Sequence, residues 1–416
     1  MNLLSIDKVI NNFKEFLNYI DQQDEHICLV ESLKTITNKE FVKDCNDVRA
    51  FLKVKQVNAG DIVVVYCDKN SYEYIMLLTG ILSYGAICLP FEPSLLKRSG
   101  LTQEALKFNA KVIFVSKDSP MNGCCTINDF QKNSDYVPIH DVNDLTPAMV
   151  RQTSGTTGKS KNALIPQCSL LIYLNPNGTL YKNIMQEKYP NDFNVILFSP
   201  YTANVLCGLY FSIALGVTAY IEPMSILRNT ALLTKRFNEI KPTLICAPQI
   251  TLPLFYSLPL DTSNLKWLLN VGQVAIRDNG TIENKIWFGK FNAKGINVLN
   301  IYASAEASNI LITSKPEDIK FPDAAGRVEN EDIELNIINH ELLVKSKYNL
   351  LGYYVNGKLL PAVDEQGYFH TNDEFETKDE RWYINGRILN FSSDRQKLNP
   401  TYKNDAIQAY DKNEDE

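Results

Sequence analysis

Histidine is scarce in this chain and cysteine is never paired, which limits the metal chemistry open to it. Four histidines (His26, His140, His340, His370) lie far apart with no ligand spacing, and none of the nine cysteines forms a CxxC pair. A zinc site built from these residues is not expected. Only Cys124 and Cys125 are neighbours; the scatter fits small buried hydrophobes in a reducing cytoplasm. Positive charge is also in deficit. Lys and Arg number 42 against 48 Asp and Glu, a net charge of −6, so the basic surface that nucleic acid requires is not expected. No run is apolar enough to cross a membrane. The longest uncharged one, Asn194–Ile221, is interrupted by Ser199, Pro200, Thr202, Asn204, Gly208, Ser212 and Gly216, and reads as strand, helix and strand. The opening MNLLSIDKVINNFKEF shows an amphipathic helical pattern broken by charges, without the apolar core of a signal peptide. The expectation is a soluble, cytoplasmic protein that uses neither nucleic acid nor membrane, with the acidic DKNEDE as a solvated terminus.

What is present is a rhythm of strands and helices. At 416 residues and 45% apolar, the chain can bury a large core in two or three units. DIVVVYC reads as a buried strand, SYEYIMLLTGILSYG as a helix, and AICLPF and KVIFVS as further strands. A second series follows in NVILFS, VTAYIE, TLICAP, KWLLNVG and INVLNIYA, with helices such as SILRNTALLTKRFNEI between. Continuous β-branched runs separated by helices predict parallel strands covered on both faces. After Gly326 the pattern becomes that of antiparallel hairpins. The predicted fold is therefore α/β: two layers with mostly parallel sheets, then a small antiparallel β subdomain over about 326–388.

One stretch carries chemistry. Thr153–Lys161, TSGTTGKSK, ends like a P-loop, yet the glycine a P-loop needs five residues before Gly158 is Thr153. The spacing fails, but the materials for a phosphate site remain. Gly155 and Gly158 permit close backbone approach, Ser154, Thr156 and Thr157 supply hydroxyls, and Lys159 and Lys161 supply charge. The loop also follows the strand-like PAMVRQ, at a strand end where open α/β sheets bind ligands.

TSGTTGKSKN resembles the phosphate loop of the acyl-adenylate-forming superfamily, which includes AMP-forming acyl-CoA synthetases, adenylation domains of nonribosomal peptide synthetases, and luciferases. Other segments are similar in the same order: AGDIVVVYCDKNSYEYIMLLTGILSYGAICLPFEPS, NVGQVA, NIYASAEAS, and GYFHTNDEFETKDERWYINGR. Together they cover roughly residues 25–388, implying an adenylate-forming N-terminal domain over 1–388 and a hinge with a partly disordered C-terminal remnant over 389–416. The resemblance implies that a carboxylate attacks the α-phosphorus of ATP, with Mg²⁺, giving acyl-AMP and pyrophosphate for transfer to a CoA or carrier-protein thiol. It assigns Thr153, Ser154, Gly155, Thr156, Thr157, Gly158 and Lys159 to the phosphates, and catalytic roles to Lys161 and Glu306, the latter also holding the metal. Gly272 falls in the adenine loop and Tyr302 against adenine. Asp373 falls on the ribose hydroxyls, and Arg387 on the ribose or phosphate. Asn204, Cys207, Gly272 and Gln273 fall on the acyl pocket, with LCGLYFSIALG as its wall or simply a core helix.

The departures matter equally. The family's α-phosphate threonine is Ala305 here, and its glycines are Ala303 and Asn372. Loss of that hydroxyl implies slower adenylation unless Ser304 or Ser308 substitutes. ILNFSSDRQKLNP lacks the hinge aspartate pair, and neither Lys397 nor Lys403 takes the place of the family's C-terminal lysine. Truncation, a C-terminal domain supplied by a partner, and a catalytically weakened binding or scaffold subunit all fit. No aspartate stands in SPYTANV to pair with a substrate amine, so a plain fatty, aryl or hydroxy acid is expected rather than an α-amino acid.

Overall fold

The computed structural model describes residues 3–23, 25–67, 71–91, 96–139, 141–153, 161–198, 203–248, 251–271, 283–321, 324–355 and 358–388. The first helix is Phe13–Asp21 only, because Asn12 takes the capping role and its side chain accepts the Glu15 N–H. Residues 3–12, predicted to share the amphipathic helical pattern, lie outside it. A hairpin follows, β1 (Ile27–Glu31) and β2 (Lys34–Thr37), then the helix Asn38–Val54, opened by a reciprocal Thr37–Glu40 capping box.

The first α/β layer contains β3 (Ile62–Tyr66), β4 (Ile87–Pro90), β5 (Val112–Val115), β6 (Pro147–Thr153) and β7 (Lys161–Pro166). The second series is β8 (Asn194–Phe198), β9 (Thr218–Glu222), β10 (Leu244–Pro248), β11 (Trp267–Val271) and β12 (Asn297–Ser304), extended by β13 (Ser308–Thr313) and β14 (Arg327–Val328). The remaining strands are β15 (Ile333–Ile338), β16 (Glu341–Ser346), β17 (Gly352–Val355), β18 (Lys358–Leu360), β19 (Phe369–Lys378) and β20 (Arg381–Arg387).

They form three sheets. One runs β18-β17-β7-β6-β4-β3-β5, a larger one β14-β13-β12-β11-β10-β8-β9-β1-β2, and a small antiparallel one β15-β16-β19-β20. The stretch after Gly326 is thus shared among all three: β14 extends the large sheet, and β17 and β18 extend the first. Strands β3 and β4 of the first sheet and β8, β9, β10 and β11 of the large one run parallel to both of their neighbours. They are buried on both faces, as their continuous apolar runs predict. Val63 and Val65 face a central core shared with Val195, Leu197 and Leu269, whereas Val64 and Ile196 face separate outer cores.

Helices fill the space between the two larger sheets. Tyr72–Tyr84 starts at Ser71, whose hydroxyl accepts the Tyr74 N–H, and buries all of its residues. It meets the helix Ala203–Ala214 through a 3.0 Å hydroxyl contact between Thr79 and Tyr210. Phe13 and Phe16 pack edge-on against the same Tyr210. The small sheet is stitched to the large one at Gly326, where the Trp382 N–H donates to the Gly326 carbonyl and the Ala325 N–H donates to the Trp382 carbonyl. Gly326 has φ +133 and a Cβ there would lie 2.3 Å from Thr313 backbone atoms, so a side chain would break the junction. No helix among the described residues is long and apolar enough to cross a membrane.

Candidate active site

The three sheets come together at the end of β12 and the turn Ala305–Ala307 that follows it, before β13. From the first sheet, Arg151 on β6 donates from Nη1 to Asn309 Oδ1 at 2.8 Å and approaches the Ala305 carbonyl at 3.5 Å. From the small sheet, Asp373 on β19 accepts the Tyr302 hydroxyl at 2.6 Å. The Leu350 N–H, just before β17, donates to the Glu306 carbonyl at 2.7 Å. Residues far apart in sequence therefore gather because strand ends from separate sheets meet here, the place where α/β folds hold ligands.

The glycine-rich stretch is the connection of the β6–β7 hairpin. Thr153 and Lys161 are register partners at its base, and Ser154, Gly155, Thr156, Thr157, Gly158 and Lys159 lie outside the described residues. The side chain of Thr153 does as well. Lys161 is buried on the face shared with Ala163 and Ile165, and its Nζ lies 5.3 Å from the Tyr353 ring centroid, a cation–π distance.

Glu306 is half-buried in the turn. Its Oε2 accepts the Ser304 hydroxyl at 3.2 Å, and Ser304 Oγ in turn accepts the N–H groups of Glu306 and Ala307. The Ser304 hydroxyl, one candidate to replace the one missing at Ala305, makes these contacts within the turn. The side chain of Ser308 lies outside the described residues.

Asp373 and Tyr302 are both buried. Asp373 N–H donates to Thr371 Oγ1 at 3.1 Å, and the Phe375 ring packs edge-on to Tyr302 at 4.8 Å. Asn372 sits at φ +57, the left-handed region where asparagine is tolerated better than most residues. The change from the family glycine therefore keeps the bend. Glu341 props this bend, its Oε1 accepting the Asn372 N–H at 2.9 Å. Its other oxygen lies 3.1 Å from His370 Nδ1, while His370 Nε2 lies 3.3 Å from Asp364. Burial works against charge on this imidazole, but hydrogen bonds and charge from Glu341 and Asp364 outweigh it and raise its pKa. Sequence reading missed this support because its members come from β16, β19 and the turn before β19.

Two further predicted residues are placed only in part. Arg387 ends β20 as the register partner of Asp373, and Asn204 lies in the first turn of Ala203–Ala214; neither side chain is among those described. Gly272, Gln273 and residues 389–416 also lie outside the described residues. Cys207 is a core thiol at 1% exposure, donating to the Ser169 carbonyl at 3.6 Å, with its pKa pushed up by burial. Arg151 was missed altogether, although a charge at an inward position of an otherwise apolar strand was there to be noticed.

A divalent cation would find one carboxylate at this turn. Among the described residues no cluster of three or more His, Cys, Asp or Glu is arranged to hold a metal. Glu306 Oε1 has no hydrogen-bond partner among the described residues, so the donor set fits a hard cation shared with phosphate oxygens.

The geometry is that of a ligand site at converging strand ends in an α/β fold, and the comparisons give the family. The chain belongs to the AMP-binding enzyme family, which it matches over residues 16–354. It is 24% identical over 349 residues to gramicidin S synthase 2 of Brevibacillus brevis, covering 79% of this chain and 7% of that protein. Bacitracin synthase 1 of Bacillus licheniformis is 22% identical over 330 residues, covering 76% of this chain and 6% of that protein. Among solved structures, O-succinylbenzoate coenzyme A synthetase from Bacillus subtilis in complex with AMP superposes with a TM-score of 0.73 at 17% identity, covering 89% of this chain and 78% of that one. The N-terminal domain of FACL13 from Mycobacterium tuberculosis gives 0.71 at 17% identity, covering 91% and 100%. The chain thus spans under a tenth of the length of the first two relatives.

Proposed function

We propose that this protein activates a small carboxylic acid as its acyl-adenylate, using ATP and Mg²⁺, in the cytoplasm. A carboxylate oxygen attacks the α-phosphorus, the bond from that phosphorus to the bridging oxygen breaks, and pyrophosphate leaves. A thiol of CoA or a carrier protein then takes the acyl group and releases AMP. The observation that carries this reading is the convergence at Ala305–Ala307, with a cationic wall on one side and the Tyr302–Asp373 pair on the other.

The protein's part is positioning and electrostatics. Asp373 is the acceptor for ribose hydroxyls, held by Thr371 and by the Asn372 bend. Tyr302, fixed by its own hydroxyl bond, presents a ring to the base. Lys161 and the loop before it bind the phosphates. Mg²⁺, held by Glu306, would neutralise phosphate charge. The absence of an aspartate in SPYTANV favours a fatty, aryl or hydroxy acid over an α-amino acid, because an unpaired ammonium is costly to bury.

A second reading, a weakened nucleotide- or acyl-binding subunit, is favoured by Ala305 and by the local engagement of Ser304. Pyrophosphate exchange into ATP with a panel of carboxylic acids, beside an ATP titration, separates the two. Exchange with one acid is the expected result. Binding without exchange, both alone and with a C-terminal domain of a related ligase added in trans, would favour the subunit reading.

A further inference from the structure

Arg151 has the surroundings of an anion-binding residue rather than of a purely structural one. It stands on β6 two residues before Thr153, opposite Ala163 in register, and shares its face with Met149 of the central core. Its side chain therefore points between the sheets, toward the turn at Ala305. Nη1 serves Asn309 and the Ala305 carbonyl, and Asn309 is fixed in turn by the Ser169 carbonyl at 2.6 Å. Among the described residues, no acceptor meets Nε or Nη2, and no carboxylate lies within ion-pair distance. Glu306 is near enough for its charge to be felt, while burial works against the guanidinium charge. Tying Asn309 to Ala305 needs only a neutral donor, so a half-buried guanidinium whose Nε and Nη2 meet no acceptor among the described residues exceeds that task. The unused edge, Nε with Nη2, is the planar fork that matches two oxygens of an anion.

We propose that Arg151 binds the α-phosphate of the nucleotide and of the acyl-adenylate through this edge, supplying positive charge where Ala305 has removed a hydroxyl. The proposal rests on the nucleotide reading of the site given above. It also accounts for the cost of Ala305: the donor is moved from the turn to the strand beneath it, and gains a formal charge. The chemistry recognised is an anionic oxygen, and a second carboxylate on the acid would offer the same chemistry.

The test is a titration of AMP and of adenosine against wild type, Arg151→Met and Arg151→Lys, with the KM of the accepted acid measured alongside. Wild type is expected to prefer AMP. Arg151→Met should weaken AMP about 10- to 100-fold and leave adenosine unchanged, and Arg151→Lys should fall between. Equal loss of AMP and adenosine would make Arg151 a structural support and overturn the proposal. Unchanged AMP affinity with a raised acid KM would place the charge in the acyl pocket and overturn it as well. If Arg151→Met does not fold, Arg151→Lys decides alone: AMP affinity equal to wild type overturns the proposal. A wild type that binds neither compound would refute the nucleotide reading itself, and the proposal with it.

Discussion

The two walls that meet at the β12–β13 turn carry opposite charge and are finished to different degrees. On the small sheet and the turn that leads into it, Asp373, Glu341 and Asp364 are acidic, and each holds a specific partner: Tyr302, Asn372 with His370, and His370. On the first sheet, Arg151 and Lys161 are basic, and Arg151 keeps one edge without an acceptor among the described residues. The acidic wall is built to be rigid before a ligand arrives, which suits recognition of neutral hydroxyls by a buried carboxylate. That open edge of Arg151 suits an anion that brings its own compensation. The nucleotide proposed above, with hydroxyls at one end and phosphates at the other, would match both walls at once.

This contrast can be broken at several points. The largest effect is expected at Lys161. Replacing it with alanine should lower the kcat of pyrophosphate exchange by about 10²–10³-fold, the usual cost of losing a donor where charge develops. A KM effect alone would move Lys161 out of the reacting centre. Asp373→Ala comes next, weakening ATP binding about 10- to 100-fold in a calorimetric titration, since a charge-assisted hydrogen bond contributes about 1.5–3 kcal/mol. Unchanged affinity would remove the acidic wall from the nucleotide site. Ala305→Thr restores the family hydroxyl, and exchange rates measure whether Arg151 already does its work. The gain should stay below about threefold in wild type and reach about tenfold in an Arg151→Met background, because groups sharing one task are not additive. Equal gains in both would separate the two residues.

The smallest effect is expected from His370, and it depends on pH. Its pKa is raised in the folded protein, so its stabilising charge is complete below the unfolded value of about 6.5 and is lost as pH rises through the higher folded value. Denaturation of wild type and His370→Gln should therefore differ by about 1 kcal/mol near pH 5.5, with the gap closing as the solution becomes alkaline. A gap that widens with pH would mean that His370 works as a neutral hydrogen-bonding group.

Much of the fold was legible beforehand. The runs IVVVY, NVILF and LICAP each became one strand within a residue or two of their apolar limits, because a strand buried on both faces has no polar positions to confuse its edges. The β1–β2 hairpin was missed. Its turn, Ser32-Leu33, carries no Asn-Gly or Asp-Gly signal, and Ser32 adopts φ +55 without glycine. The sharing of the last strands among three sheets was also invisible, since short hairpins read alike whichever edge they join. At the site, motif order pointed to Tyr302, Glu306 and Asp373. It did not point to Arg151, Asn309 or Glu341, whose significance lies in who their neighbours are.

Sequence by itself determined the class of structure and its family, through apolar runs that demand burial and through segments in a fixed order. Tertiary structure decided which polar groups meet. Tyr302 and Asp373 are 71 residues apart, and Arg151 and Asn309 are 158 apart. Hydrogen bonds act only over about 3 Å, so partners at such separation are chosen by how sheets pack, and a linear pattern holds no record of that choice.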